Sequence, residues 1–433
     1  MTMILKHFFR ITASILTILF TFHLAIVIAQ PGKEMKTDTL KPVQVVAKQK
    51  EIVGYYPNWR LYNRQGMVKP ENIDFSKYTI INYSFFKPNE KGEILSSDPI
   101  TDKVLLEQSP TIVELAHIKG TKVVVSVGGW TFSDQFPGIA ADPVKRAKFG
   151  QECVRLLRQY NLDGIDIDWE HPGYEGHNGT PQDKQNFTLL MQAIRDSIDA
   201  YGRKINYRFL LTGAFGTYDD VMNMIEWDKV VPIMDFIHMM TYDFNGPWSS
   251  DANHNSPLFP PKSGLPNSVD WVFKRMTEKH NVPLEKLTMG MAFYGRSVLF
   301  PKKDAEIYKE NTKLVDTITW PLFEGTPQYY SILADMNKFD KYWDDAAQVP
   351  YLIKKDKTCF LSYDDEKSIR LKAEHIMQNN LAGVIIWEIT GDYLETSPGS
   401  AIVGKTPLID TVNEVFKTNR KRQKIKRPTE KVK

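Results

Sequence analysis

The amino-acid sequence predicts an α/β fold, a (β/α)8 TIM barrel with a small α+β insertion between strands 7 and 8. Three observations carry that expectation. Apolar, β-rich runs recur eight times along the chain, amphipathic helix-like segments separate most of them, and the spacing breaks once, ahead of the last run. An open doubly wound sheet is the alternative fold. The nucleotide-binding glycine pattern expected after its first strand is missing, since "GYYPNW" holds a single glycine.

The runs, in order, are 51–56 (EIVGYY), 79–86 (TIINYSFF), 121–129 (TKVVVSVGG), 162–170 (LDGIDIDWE), 207–215 (YRFLLTGAF), 236–244 (FIHMMTYDF), 287–295 (LTMGMAFYG) and 382–389 (AGVIIWEI). Segments between them, such as 142–160 and 184–202, place apolar residues at three- and four-residue spacing, the pattern of a helix with one buried face. Residues 296–380 fill a gap where one helix would suffice. They mix short apolar runs with charged turns and end in the helix-like "EKSIRLKAEHIMQNN". Loops after barrel strands lie at the functional face, so an insertion there would wall one side of a cleft.

The expected boundaries are a signal peptide over 1–29, a linker over 30–48, the first part of the barrel over 49–297, the insertion over 298–363, the last part of the barrel over 364–416 and a basic disordered tail over 417–433. Lys6 and Arg10 precede an apolar run, 11–29, and Val27 and Ala29 suit a cleavage site before Gln30. Export to a secreted, periplasmic or cell-surface location is the expectation, with an uncleaved N-terminal anchor as the alternative. The tail carries nine basic residues against Glu430, so a net charge of +3 for the chain leaves about −5 for everything before it. The tail reads as a solvated end or as a contact for anionic envelope polymer. The core gives no case for nucleic-acid binding, and no signal calls for more than a monomer. Two cysteines, Cys153 and Cys359, are too few for a disulfide framework; they read as buried thiols or as one bridge.

Reactive groups in such barrels come from the C-terminal ends of the strands. Those ends bring together Tyr55 and Trp59; Phe85; Ser126, Gly128, Gly129 and Trp130; Asp166, Asp168 and Glu170; Met240, Tyr242 and Asp243; Tyr294 and Arg296; Trp387 and Asp392. In "DGIDIDWE" the acids Asp166, Asp168 and Glu170 share one face of a strand, and Ile165, Ile167 and Trp169 share the other. Residues two apart on a strand lie roughly 6.6 Å from each other, and a low-dielectric interior cannot easily hold three ionised carboxylates at that spacing. At least one should keep its proton. Glu170, nearest the mouth, is best placed to donate it, with Asp168 tuning it from one step inward.

Other chemistries fit less well. A calcium loop starting at Asp166 would need glycine and glutamate where His171 and His177 stand, no phosphate loop supports magnesium, and no His-Glu-x-x-His supports zinc. Neither metal nor cofactor is expected. Ser126 lacks a nucleophile elbow, because Val124 stands two residues before it, and it reads with its glycines as a strand-end packing device.

These residues resemble glycoside hydrolase family 18. "DGIDIDWE" fits its Asp-x-x-Asp-x-Asp-x-Glu signature, while "GYYPNW", "SVGGW", "MTYDF", "YGR" and "WEITGD" look like its accompanying motifs, in order, over about residues 51–415. The resemblance implies a chitinase-type, substrate-assisted mechanism in which the sugar's N-acetyl oxygen replaces an enzyme nucleophile. It implies Glu170 as general acid and then base, Asp168 as the residue orienting the acetamido group, Asp166 as its support and Tyr242 as a hydrogen-bond donor to the acetamido oxygen. Trp387 would floor the cleaved sugar's subsite, with Tyr55, Phe85, Gly129, Trp130, Met240, Asp243 and Arg296 also binding substrate. The implied partners are chitin or N-acetylglucosamine oligosaccharides, with no nucleotide. An endo-β-N-acetylglucosaminidase on N-glycans is one alternative and a non-catalytic chitin-binding lectin the other, although lectins of this family typically lack the acid that Glu170 supplies. Where many insertion-bearing members have Tyr-x-Glu-Ile, this chain has Tyr329-Tyr330-Ser331-Ile332, which puts any contact by that glutamate in doubt. No separate chitin-binding module is visible, so soluble oligomers are the easier targets.

Overall fold

The computed structural model describes residues 49–321 and 325–416. The signal peptide, linker and tail expected from the sequence lie outside the described residues. Eight parallel strands form a ring: β1 (Glu51–Pro57), β2 (Ile80–Pro88), β3 (Lys122–Gly128), β4 (Gly164–Asp168), β5 (Leu210–Phe215), β6 (Phe236–Met239), β7 (Leu287–Ala292) and β8 (Gly383–Trp387). Each pairs with the next, and β8 pairs back onto β1 from Glu51↔Gly383 to Gly54↔Ile386, which closes the barrel. The sequence runs coincide with these strands, but several of their last residues lie in the loops beyond.

Alternation along each strand sorts side chains into two layers. Val53, Tyr55, Ile80, Phe85, Val124, Leu210, Ala292 and Ile385 meet inside the ring. Ile52, Ile81, Val123, Val125, Ile165, Ile167, Leu211 and Val384 face outward into a second, larger core under the helices Pro143–Gln159 and Asp183–Ile205. Trp169 belongs to that outer layer, stacked on Phe136 at 5.3 Å and 19°. So does Asp163, the first acid of "DGIDIDWE". It accepts hydrogen bonds from Val123 N and Tyr207 Oη, each at 2.7 Å, and its Oδ2 lies 2.7 Å from His117 Nε2, tying together the lower ends of β3 and β4 and the approach to β5.

Helix starts follow from local chemistry. Asp142 caps Pro143–Gln159 through the Val144 and Lys145 amides, with proline at the first position, and Asp365 forms a capping box with Ser368 ahead of Glu366–Gln378. Among the described residues no helix is long and apolar enough to cross a membrane. Cys153 and Cys359 are both buried and free.

The insertion is built on a four-stranded antiparallel sheet of Arg296–Leu299, Phe339–Asp344, Val349–Lys354 and Cys359–Ser362. The boundary expected after residue 297 falls inside the first of these strands. Past Ala292 the chain leaves the ring, and Arg296 pairs with Ser362 instead of with a barrel neighbour. A buried ion pair fixes this unit to the barrel. Lys372 Nζ lies 2.7 Å from both Asp364 oxygens and 2.8 Å from Ser256 Oγ, and Ser256 in turn donates to Thr241 O at 2.7 Å, just past β6. Both charged side chains are 1% exposed. Asp364→Ala should therefore strand the Lys372 ammonium and cost about 3–5 kcal/mol of unfolding free energy. Urea denaturation checks this; a loss below about 1 kcal/mol would mean the pair is incidental to stability.

Candidate active site

The carboxylate row is built by strand register. Ser126 and Thr212 are the neighbours of Asp166 across β3 and β5. Both point inward with it. Ser126 Oγ at 2.8 Å, Thr212 Oγ1 at 2.6 Å and Tyr55 Oη at 2.9 Å all donate to the Asp166 carboxylate. Ser126 thus does more than pack. One step further along, Asp168 Oδ1 is buried with no hydrogen-bond partner among the described residues. Burial, then the charges of Glu170 and Asp166, push the Asp168 carboxyl well above the ordinary carboxylate range.

Glu170 lies just past the strand, its backbone N–H held by Ser133 Oγ at 2.9 Å and its side chain 18% exposed. Burial first, and the Asp243 charge second, raise its carboxyl to about 8, against a lowering by the Trp130 backbone N–H. At neutral pH the mouth of the barrel therefore holds a carboxylic acid with a proton to give. His171 Nε2 stands 3.9 Å from Glu170 Oε2. Burial and then His177 drive the His171 imidazole down to about 4, so the two meet as neutral groups. His177 instead approaches the Glu170 backbone oxygen, at 2.5 Å.

Opposite the row, the loop after β6 supplies Tyr242 and Asp243. Tyr242 is 8% exposed and edges onto Tyr294 at 6.1 Å. Burial, then the Asp168 charge, hold its phenol well above the usual range, so it stays a hydrogen-bond donor. Asp243 is gripped by Arg296 Nε at 2.8 Å and Nη2 at 2.7 Å, and by Tyr294 Oη at 2.7 Å. The two-pronged guanidinium contact fixes the carboxylate plane as well as its position. Arg296 comes from the insertion and Asp243 from the barrel.

The floor is aromatic. Trp387 stacks on Phe85 at 5.7 Å and 18°, with Tyr55 at 5.7 Å and Trp59 at 6.3 Å beside it, and Met240 packs against the same group. Backbone glycines make room for this. A Cβ on Gly128 would stand 2.1 Å from Asp168 O, and one on Gly129 would stand 2.7 Å from the Phe85 ring; both have positive φ, 115° and 77°. Gly129 N–H donates to Asp168 O at 2.8 Å, which holds the end of the carboxylate row. Around the rim Trp59, Trp130 and Trp248 are 43%, 53% and 50% exposed.

The structure brings twelve of the sequence-derived residues to one cleft or its immediate walls: Glu170, Asp168, Asp166, Tyr242, Tyr55, Phe85, Gly129, Trp130, Met240, Asp243, Arg296 and Trp387. Asp392 does not join them. It is fully buried and accepts the Leu408 and Ile409 amides at 2.9 Å, holding the start of the helix Pro407–Val415. Trp248 was missed by the sequence reading. Its indole lies over the Arg296 guanidinium at 5.1 Å, and its signal was an aromatic in the loop directly after the sixth strand.

A closed parallel barrel with a protonated carboxyl at its mouth, a shared acidic row below and an aromatic floor defines a carbohydrate-active hydrolase. The family model described as "Glycosyl hydrolases family 18" matches residues 51–392. The chain belongs to that family. It is 34% identical over 402 residues to Chitinase A1 of Niallia circulans, covering 80% of this chain and 57% of that protein's length. Chitinase B of Serratia marcescens is 26% identical over 417 residues, covering 80% and 82%. Among solved structures, Chitinase ChiA74 from Bacillus thuringiensis superposes with a TM-score of 0.75 at 30% identity, covering 85% of this chain and 70% of that one. The Group IV chitinase of Ostrinia furnacalis gives 0.74 at 27%, covering 85% and 99%.

The proton on Glu170 also sets a stability signature. Its folded value of about 8 lies above the ordinary 4.5, so between those values the native state holds the extra proton and native stability falls as pH rises, levelling off above about 8. Glu170→Gln removes this slope and should be more stable than wild type at pH 8 by about 2 kcal/mol or more, with little difference near pH 4. Urea midpoints at the two pH values check this, and parallel pH slopes for the two proteins would exclude a raised Glu170.

Proposed function

We propose that this protein is an exported, monomeric, retaining glycosidase that hydrolyses β-1,4 bonds in chitin or chitooligosaccharides, using the N-acetyl group of the substrate as its nucleophile. One arrangement carries this reading: Glu170 at the barrel mouth, its carboxyl raised by burial, next along the row from Asp168 with its unpartnered buried oxygen and across from the buried Tyr242 phenol. The names of the relatives support the substrate class, and the apolar run 11–29 supports export.

The geometry suits each step. Glu170 gives its proton to the glycosidic oxygen as the bond to the anomeric carbon breaks, and the acetamido oxygen closes onto that carbon from the opposite face. The resulting ring carries a positive charge. Asp168 offers its unpartnered buried oxygen as acceptor to the acetamido N–H, steadied from below by Asp166 and its three hydroxyl donors. Tyr242 donates to the acetamido oxygen. Glu170, now a carboxylate, takes a proton from water, which opens the ring with retained configuration and restores the acid. Trp387 supports the apolar face of the sugar being cleaved, and Trp59, Trp130 and Trp248 offer flat faces to its neighbours.

Mass spectrometry of products from chitohexaose should show N-acetylglucosamine oligomers, while a high-mannose glycoprotein should stay intact. Glu170→Gln should lower kcat by about 10³-fold with oligosaccharide affinity retained. An unaffected rate in that variant refutes the acid assignment; wild-type binding of a fluorogenic chitobioside without release of the fluorophore makes the protein a lectin.

A further inference from the structure

Asp243 carries a φ of 59°, in the left-handed region that side chains other than glycine seldom occupy. Such a backbone persists where its surroundings hold it. Asn255, 1% exposed, does the holding: its Oδ1 accepts the Asp243 N–H at 2.9 Å and its main-chain oxygen accepts the Phe244 N–H at 3.0 Å. Because a backbone amide is the donor, the orientation of the Asn255 amide is set, and Nδ2 is left buried with no partner among the described residues. The N–H of Asn255 donates to Ser362 Oγ at 2.8 Å, and Ser362 is the register partner of Arg296 in the insertion sheet. One residue therefore fixes both sides of the Asp243–Arg296 pair.

We propose that Asn255 is a positioning residue for the acid step: it holds Asp243 in the left-handed turn that keeps its carboxylate, paired with Arg296, within electrostatic reach of Glu170. This rests on Glu170 being the proton donor. The groups acting on Glu170 are Asp168 beside it on β4, Tyr242 and Asp243 from the loop after β6, His171 next in the chain, and the Trp130 N–H from the loop after β3. Asp168 is fixed by its strand. Asp243 has no strand to hold it, and its charge favours the protonated form of Glu170. Without the Asn255 acceptor the turn relaxes, the Asp243 carboxylate shifts relative to Glu170 while still paired with Arg296, and Glu170 loses its proton at lower pH.

The test is the pH dependence of kcat/KM on a fluorogenic chitobioside from about pH 4 to about 10, whose alkaline limb reports the acid of the free enzyme. Asn255→Ala should move that limb down by about one pH unit. Asn255→Asp, which keeps the acceptor, should leave it at the wild-type position or above. Asp243→Asn should lower the limb, and the double variant N255A/D243N should lower it no further than D243N alone. An N255A limb that coincides with wild type, or additive shifts in the double variant, overturns the proposal. If N255A does not fold, N255S carries the same test, since serine is too short to reach the Asp243 amide. Glu170→Gln in the same assay separates the two readings. If it turns over normally, the acid assignment fails and the role of Asn255 falls with it; if it is inactive while the N255A limb is unmoved, only the positioning role falls.

Discussion

The molecule depends on three carboxyl groups sharing one side of one chain segment inside a closed ring. Strand geometry sets their spacing, the ring excludes most of the water around them, and their mutual repulsion works against full ionisation. The protein answers this at graded depths. Asp166, deepest, accepts three hydroxyl hydrogen bonds; Asp168 is buried with one oxygen unpartnered; Glu170 keeps a proton where the ring opens. Two neighbouring strands exist in their present form to allow this. Ser126 and Thr212 meet Asp166 in register, and the glycines after β3 leave space for the Asp168 carbonyl and the Phe85 ring.

The wall facing this row is held differently. Tyr242 and Asp243 lie beyond the end of β6, so no ladder of strand hydrogen bonds fixes them. Their support comes from sequence-distant groups: Arg296 and Ser362 in the insertion, Asn255 and Ser256 in the long loop after β6, and Lys372 in the helix before β8. The insertion is thus part of the site rather than an appendage. Its first strand delivers the guanidinium that grips Asp243, and the Lys372–Asp364 pair anchors its last strand to the barrel. The Lys372–Asp364 joint is buried, where a missing partner costs far more than it does at the surface, whereas the Arg296–Asp243 joint is partly open to solvent.

The chain by itself determined the repeating strand and helix pattern, the place of the insertion and the face on which the acids lie. Each of these follows from periodicity, and periodicity is a local property of the backbone: a residue two positions on returns to the same side of a strand whatever surrounds it. The aromatic and acidic residues at the strand ends were legible for the same reason. What only the tertiary structure decided is which of those ends share a surface and what holds them there. Asp163 and Asp166, three residues apart, serve opposite layers; Asp392 ends a strand motif yet anchors a helix; Arg296, next to a barrel strand, belongs to another sheet. The partners of Asp243 come from positions 255, 294 and 296, and no spacing rule joins them. Hydrogen bonds and burial depend on distances through space, and those distances exist once the ring has closed.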